Sequence, residues 1–164
     1  MSHADTTRRA ITSRLEFHAA VRSAIGQAAD AQALEIVLCD PDFADWPLGE
    51  RTVIEDFTRW AGPRRRLLLM AGTFDGFAGR HARWTEWRRA WSHLVECRMN
   101  EEIETAHIPT IGLVPGIISV RLLDSVRHRG MASHEASDEQ ACREAIDAVL
   151  QRSTPAFPST TLGL

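Results

Sequence analysis

Leu34-Glu35-Ile36-Val37-Leu38-Cys39-Asp40-Pro41-Asp42-Phe43-Ala44-Asp45-Trp46 is the stretch that decides how this chain is read. It opens as a run of apolar strand formers and stops abruptly at Asp-Pro, with two more carboxylates close behind. A short buried strand that delivers acidic groups at its carboxyl end is a common start of an α/β ligand site. The rest of the chain is expected to wrap this element.

Around it the pattern alternates. Ser13 followed by Glu16 fits a capping box, so a helix is predicted to start there, with Phe17, Val21, Ala24, Ile25 and Ala28 on its apolar stripe. Strand one covers 34–39. A second helix is predicted over 50–61, burying Val53, Ile54, Phe57 and Trp60 and ended by Gly62-Pro63 through a left-handed glycine cap. Leu67-Leu68-Leu69-Met70 lies in strand two, 66–71, a continuous run suited to a strand covered on both faces. A third helix is predicted over 77–94 and a third strand over 95–99. Two strands, 108–114 and 117–122, meet at Pro115-Gly116, where proline presets the first turn position and glycine supplies the positive φ of the second. A basic loop, a short edge strand at 131–136 and a last helix at 138–152 complete the order. The expected fold is α/β, a mixed and largely parallel sheet flanked by helices. One domain is expected over residues 13–152, with 1–12 and 153–164 as flexible tails.

Composition sets limits. The chain has 164 residues and a net charge of −3, and all nineteen of its basic residues are arginine. Without lysine, any mechanism that needs a lysine amine is excluded. The charge balance gives no reason to expect nucleic-acid binding. No apolar run approaches the roughly 18–20 residues of a membrane span, and no apolar signal core precedes Arg14, so a cytoplasmic protein is expected. Cys39, Cys97 and Cys142 are odd in number and lie in no CxxC spacing, which reads as reduced core thiols. No HxH or HExxH spacing suggests a metal, and no cofactor is expected.

The order of elements resembles one half of a phospholipase D-like fold: a parallel βαβαβ unit, a hairpin and a closing helix. A group of uncharacterised bacterial proteins of this type is also similar. They carry a segment like Asp40 to Trp46, an Arg/His-rich helix ending in Ser-His as Arg80 to His93 does, and a strand like Val95-Glu96-Cys97-Arg98. The resemblance covers residues 13–151. Its family signature is His-x-Lys, four residues, then Asp. The nearest match is His107-Ile108-Pro109, with proline in the lysine position and Val114 in the aspartate position. The resemblance therefore implies the fold without the activity.

Two readings apply to Asp40, Asp42 and Asp45. They could form an acidic site, or they could accept local backbone N–H bonds in a tight turn. Apolar-strand-Asp-x-Asp also resembles the opening motif of haloacid dehalogenase-type phosphatases, which implies Asp40 as nucleophile and Asp42 as general acid. In that family the fifth position is usually Thr or Val, here Ala44, and Glu101-Glu102 is the one contender for a later magnesium pair. On the third helix, ~100° per residue gathers Phe77, Trp84, Trp87, Trp91 and Leu94 on one side and drops Arg80 among them, so Arg80 is expected to need an acidic partner from the segment after strand one. Trp84, Trp87 and Trp91 read as core. Arg127-His128-Arg129-Gly130 could hold an anion or be a solvated loop.

The leading expectation is a non-catalytic phospholipase D-like domain that binds an anionic small molecule or a protein partner. Its ligand-binding candidates are Asp40, Asp42, Asp45, Trp46, Arg80, His107, Arg127 and Arg129. The alternatives are a magnesium-dependent phosphomonoesterase using Asp40 and Asp42, or a residual phosphodiesterase through His107. Because phospholipase D-like sites are built from two facing halves, the resemblance implies a two-fold homodimer, with Asp40 to Trp46 and His107 of both copies at a shared cleft.

Overall fold

A computed structural model describes residues 7–158. Eight strands form one mixed sheet: β1 (Arg8–Ile11), β2 (Glu35–Asp40), β3 (Arg66–Ala71), β4 (Val95–Met99), β5 (Thr110–Val114), β6 (Ile118–Asp124), β7 (Arg129–Ser133) and β8 (Thr154–Pro155). Their order across the sheet is β1-β7-β6-β5-β2-β3-β4-β8. Only β2–β3 and β3–β4 run parallel. The other five pairings are antiparallel, so the sheet is mostly antiparallel, not largely parallel as expected. The reason lies at β2. Its free edge takes the hairpin strand β5 antiparallel, and β6, β7 and β1 follow by antiparallel pairing.

The helices are α1 (Arg14–Ala31), α2 (Arg51–Trp60), α3 (Phe77–Arg80), α4 (Ala82–Ala90) and α5 (Ala136–Leu150). At the start of α1, Ser13 Oγ accepts the Glu16 N–H at 3.1 Å, and the Glu16 carboxylate reaches back to the Thr12 N–H at 2.7 Å. The expected cap is thus formed, with its return bond one residue earlier than the usual box. Alternation along β2 and β3 sends successive side chains to opposite faces. Ile36, Leu38, Leu67 and Leu69 join the larger core beneath α1, α2 and α4. Val37, Cys39, Leu68 and Met70 join a smaller one with Cys142, Ile146 and Val149 of α5. The continuous apolar runs are therefore explained by cover on both faces. All three cysteines are buried and free.

Four local expectations change. The stretch predicted as one long helix breaks at His81, whose backbone leaves the helical region at φ −123° and ψ 55°. The strand expected at 131–136 spans 129–133 and is internal, because β1 occupies the edge beside it. Gly62 does not provide a left-handed cap to α2; the positive φ in that turn belongs to Arg64, at 64°. Both expected tails also contribute strands, β1 on one edge and β8 on the other, while residues 1–6 and 159–164 of those tails lie outside the described residues. Gly116, at φ 79°, makes the hairpin turn as predicted. No helix among the described residues is long and apolar enough to cross a membrane.

Candidate functional site

The carboxyl end of β2 opens onto a cleft of about 270 Å³ lined by Asp40, Asp42, Asp45, Trp46, Thr110 and His128, among others. Asp40 ends the strand and is buried. Its Oδ2 accepts the N–H groups of Asp42 at 3.1 Å and Phe43 at 2.8 Å, and its Oδ1 accepts the Thr110 hydroxyl at 2.6 Å. One carboxylate thus closes the turn after β2 and ties it to the start of β5. Burial raises its pKa above the usual carboxylate value, and these hydrogen bonds act in the opposite direction. The Trp46 indole also helps to hold the pKa down, although its N–H makes no bond of good geometry.

The turn is held from every side. Phe43 sits at φ 59°, an uncommon conformation for a bulky residue, and needs support from its surroundings. Asp40 holds its N–H, and His81 Nε2–H donates to its carbonyl at 2.7 Å. Its ring packs on Trp46 and Phe77. His81 is buried, and burial lowers its pKa, which favours the neutral ring with the proton on Nε2. The helix breaks at this residue, and its ring reaches Phe43.

Asp42 Oδ1 accepts the Ala44 N–H at 3.0 Å. Exposed Asp45 lies between the Arg14 guanidinium, Nε at 3.2 Å, and the His128 ring, Nε2 at 3.4 Å, and its carbonyl accepts from His18 Nε2 at 2.5 Å. Trp46 is buried against Phe17 and Phe43. The turn-chemistry reading therefore describes Asp40 and Asp42 well, while Asp45 and His128 face the cleft as a pair.

Other expected residues fall elsewhere. Arg80 is exposed and donates to the Asp42 backbone carbonyl at 3.0 Å; the break at His81 removes it from the apolar sector, so it needs no acidic partner. His107 is strongly exposed and does not line the cleft; its neighbour is Glu104, 3.5 Å from Nδ1. Arg127 and Arg129 are exposed beside the cleft, and the residue between them, His128, is the one that lines it. Glu101 and Glu102 border a separate depression with Arg152. Among the described residues, no group of three or more His, Cys, Asp or Glu is placed to hold a metal ion.

Sequence reasoning missed Thr110 and Arg14, and within Arg127-His128-Arg129-Gly130 it favoured the arginines over His128. No local signal shows these contacts, because each of the three acts on a residue that is distant along the chain.

The rim carries an exposed apolar side chain among its polar ones. Val126, which lines the cleft, is 87% exposed.

No family model matches the sequence, and no curated protein matches it. Among solved structures the chain is similar to TrmBL2, described as an archaeal chromatin protein with a novel mode of DNA binding. The TM-score is 0.63 at 10% identity, over 95% of this chain and 56% of TrmBL2. This chain thus spans little more than half the length of that protein, and at such identity the likeness is one of fold.

Proposed function

We propose that this chain is a non-catalytic, phospholipase D-like binding domain whose cleft at the end of β2 docks a second copy of itself. The observation that carries the reading is the combination at one place of a fully engaged carboxylate and an exposed apolar side chain, Val126. Asp40 spends both oxygens on the turn and on Thr110, which leaves it poorly placed to attack a phosphate. His107 has an exposed carboxylate neighbour and no lysine anywhere in the chain to hold phosphate oxygens. The cleft suits protein better than an anion, since three aspartates line it.

A two-fold pair satisfies this surface with itself. Exposed Arg127 and Arg129 of one copy lie beside a cleft whose Asp42 and Asp45 can face the same arginines of the other. Val126 would be covered in the middle. TrmBL2 has a binding role by its description, which supports a non-catalytic reading. A DNA ligand has less behind it here, given the acidic lining and the net charge of −3.

Light scattering at micromolar concentration tests the proposal. A dimer is expected, converted to monomer by Val126→Asp. A wild-type monomer, or a dimer unaffected by that change, overturns the docking surface. Metal-independent phosphodiesterase activity lost in His107→Ala, or phosphomonoesterase activity lost in Asp40→Asn, overturns the non-catalytic reading.

A further inference from the structure

The opposite edge of the sheet carries a second arrangement, unrelated to the cleft. Beyond Leu150 the chain turns at Ser153, which Arg98 grips through Oγ at 2.7 Å and the carbonyl at 2.8 Å. It then lies along β4, with Thr154 opposite Met99, Pro155 opposite Arg98, and the Ala156 N–H donating to the Cys97 carbonyl at 3.0 Å. The segment ends in an aromatic plug. The Phe157 ring stacks on Phe74 at 5.3 Å, meets Phe77 edge-on at 5.3 Å and lies under the Arg88 guanidinium, 5.0 Å from its centroid. Phe157 pays for this seat with a φ of 45°.

Arg88 is the unusual member. It is 5% exposed, yet among the described residues no carboxylate pairs with it. One arm donates to the Phe157 carbonyl, and its buried Nε has no partner. A buried guanidinium is normally matched by an anion, often through two parallel bonds. A lone carbonyl offers less than this group can use.

We infer that the β4 edge is a strand-addition site for an extended peptide that ends in an aromatic residue with a free carboxylate, and that residues 153–157 occupy it in cis. Backbone pairing along β4 supplies affinity for any extended chain, and the Phe74–Phe77 pocket selects an aromatic side chain. A terminal carboxylate in place of the Phe157 carbonyl gives Arg88 the two-oxygen acceptor that it lacks. The internal segment then works as a weaker, tethered competitor that keeps the edge covered until such a peptide arrives.

The probe is the peptide Ser-Thr-Pro-Ala-Phe, as free acid and as C-terminal amide, titrated by fluorescence anisotropy against the full chain and its Phe157→Ala variant. The variant weakens the internal competitor and should bind the free acid at least tenfold more tightly than the wild type does. It should also prefer acid over amide at least tenfold, a preference lost in Arg88→Gln. Equal binding of acid and amide, or no binding by a variant whose near-ultraviolet circular dichroism is native, overturns the inference and leaves the segment as an edge cover only. Hydrogen exchange on the wild type needs no variant. Saturating free-acid peptide should strip protection from the Ala156 amide, and unchanged protection overturns the inference equally.

Discussion

Replacing Asp40 with alanine should be among the most damaging single changes in the chain for stability alone. The carboxylate satisfies the N–H of fully buried Phe43 and the hydroxyl of Thr110, which is 4% exposed. Alanine leaves both without a partner in a site closed to bulk water. At about 1–3 kcal/mol for each buried group left unsatisfied, the loss is roughly 2–6 kcal/mol. Phe43 is also held at φ 59° partly by this bond, so its strain adds in the same direction. For a domain of this size, a central loss of about 4 kcal/mol lowers Tm by roughly 8–16 °C. Asparagine retains an oxygen for the two N–H groups, and Thr110 can turn its hydroxyl to accept, so Asp40→Asn should cost about 1 kcal/mol. Urea denaturation of both variants reads the difference. An alanine variant within 1 kcal/mol of wild type would refute the capping role. An asparagine variant as unstable as alanine would show that charge, not the pattern of acceptors, is what the turn requires.

Other predictions concern the frame and its protons. Gly130→Ala should destabilise by more than 3 kcal/mol in the same assay, since a Cβ there would stand 1.8 Å from the Arg121 carbonyl oxygen, and backbone on an internal strand cannot give way. Trp60→Phe should cost about 1–3 kcal/mol by leaving the buried Ala33 carbonyl without the indole N–H, now at 2.7 Å. Asp138 is held below its ordinary value of 3.8, first by its hydrogen bond from Arg8 and then by the one from Ser133. Its contribution is therefore present above pH 3.8 and lost as pH falls through the folded value, so Asp138→Asn should be less stable than wild type at neutral pH and should converge with it in acid. Asp40 has the opposite sign. Burial raises its folded value, so its ionisation costs stability as pH climbs from 3.8 through that value, and the gap between wild type and Asp40→Asn should move in favour of wild type as pH falls through this window.

Much of the framework could be read from the order of residues. The runs through β2 and β3, the stripe of α1, the cap at Ser13 and the turn at Gly116 are local statements. Side-chain periodicity and backbone preference act within a few residues, so the sequence carries them openly. The charged edge strand β1 could not be read this way, because Arg8-Arg9-Ala10-Ile11 has no apolar alternation and becomes a strand only by pairing with β7. The antiparallel seating of β5 against β2 was equally hidden. Either direction buries the same apolar side chains, and the choice depends on how the whole hairpin meets the free edge. The same holds at the two sites. Thr110 reaches Asp40 across 70 residues, His81 reaches Phe43 across 38, and Arg88 reaches Phe157 across 69. The sequence by itself determined the inner strands β2 to β6, the helices α1, α2 and α5, and the absence of lysine chemistry. Only the tertiary structure decided that Asp40 would be spent on a turn, that His128 and not its arginine neighbours would face the cleft, and that a buried arginine would be left with a carbonyl for a partner. Hydrogen bonds and ion pairs of this kind are fixed by distances of a few ångströms, and distance along the chain says nothing of distance in space until the sheet has closed.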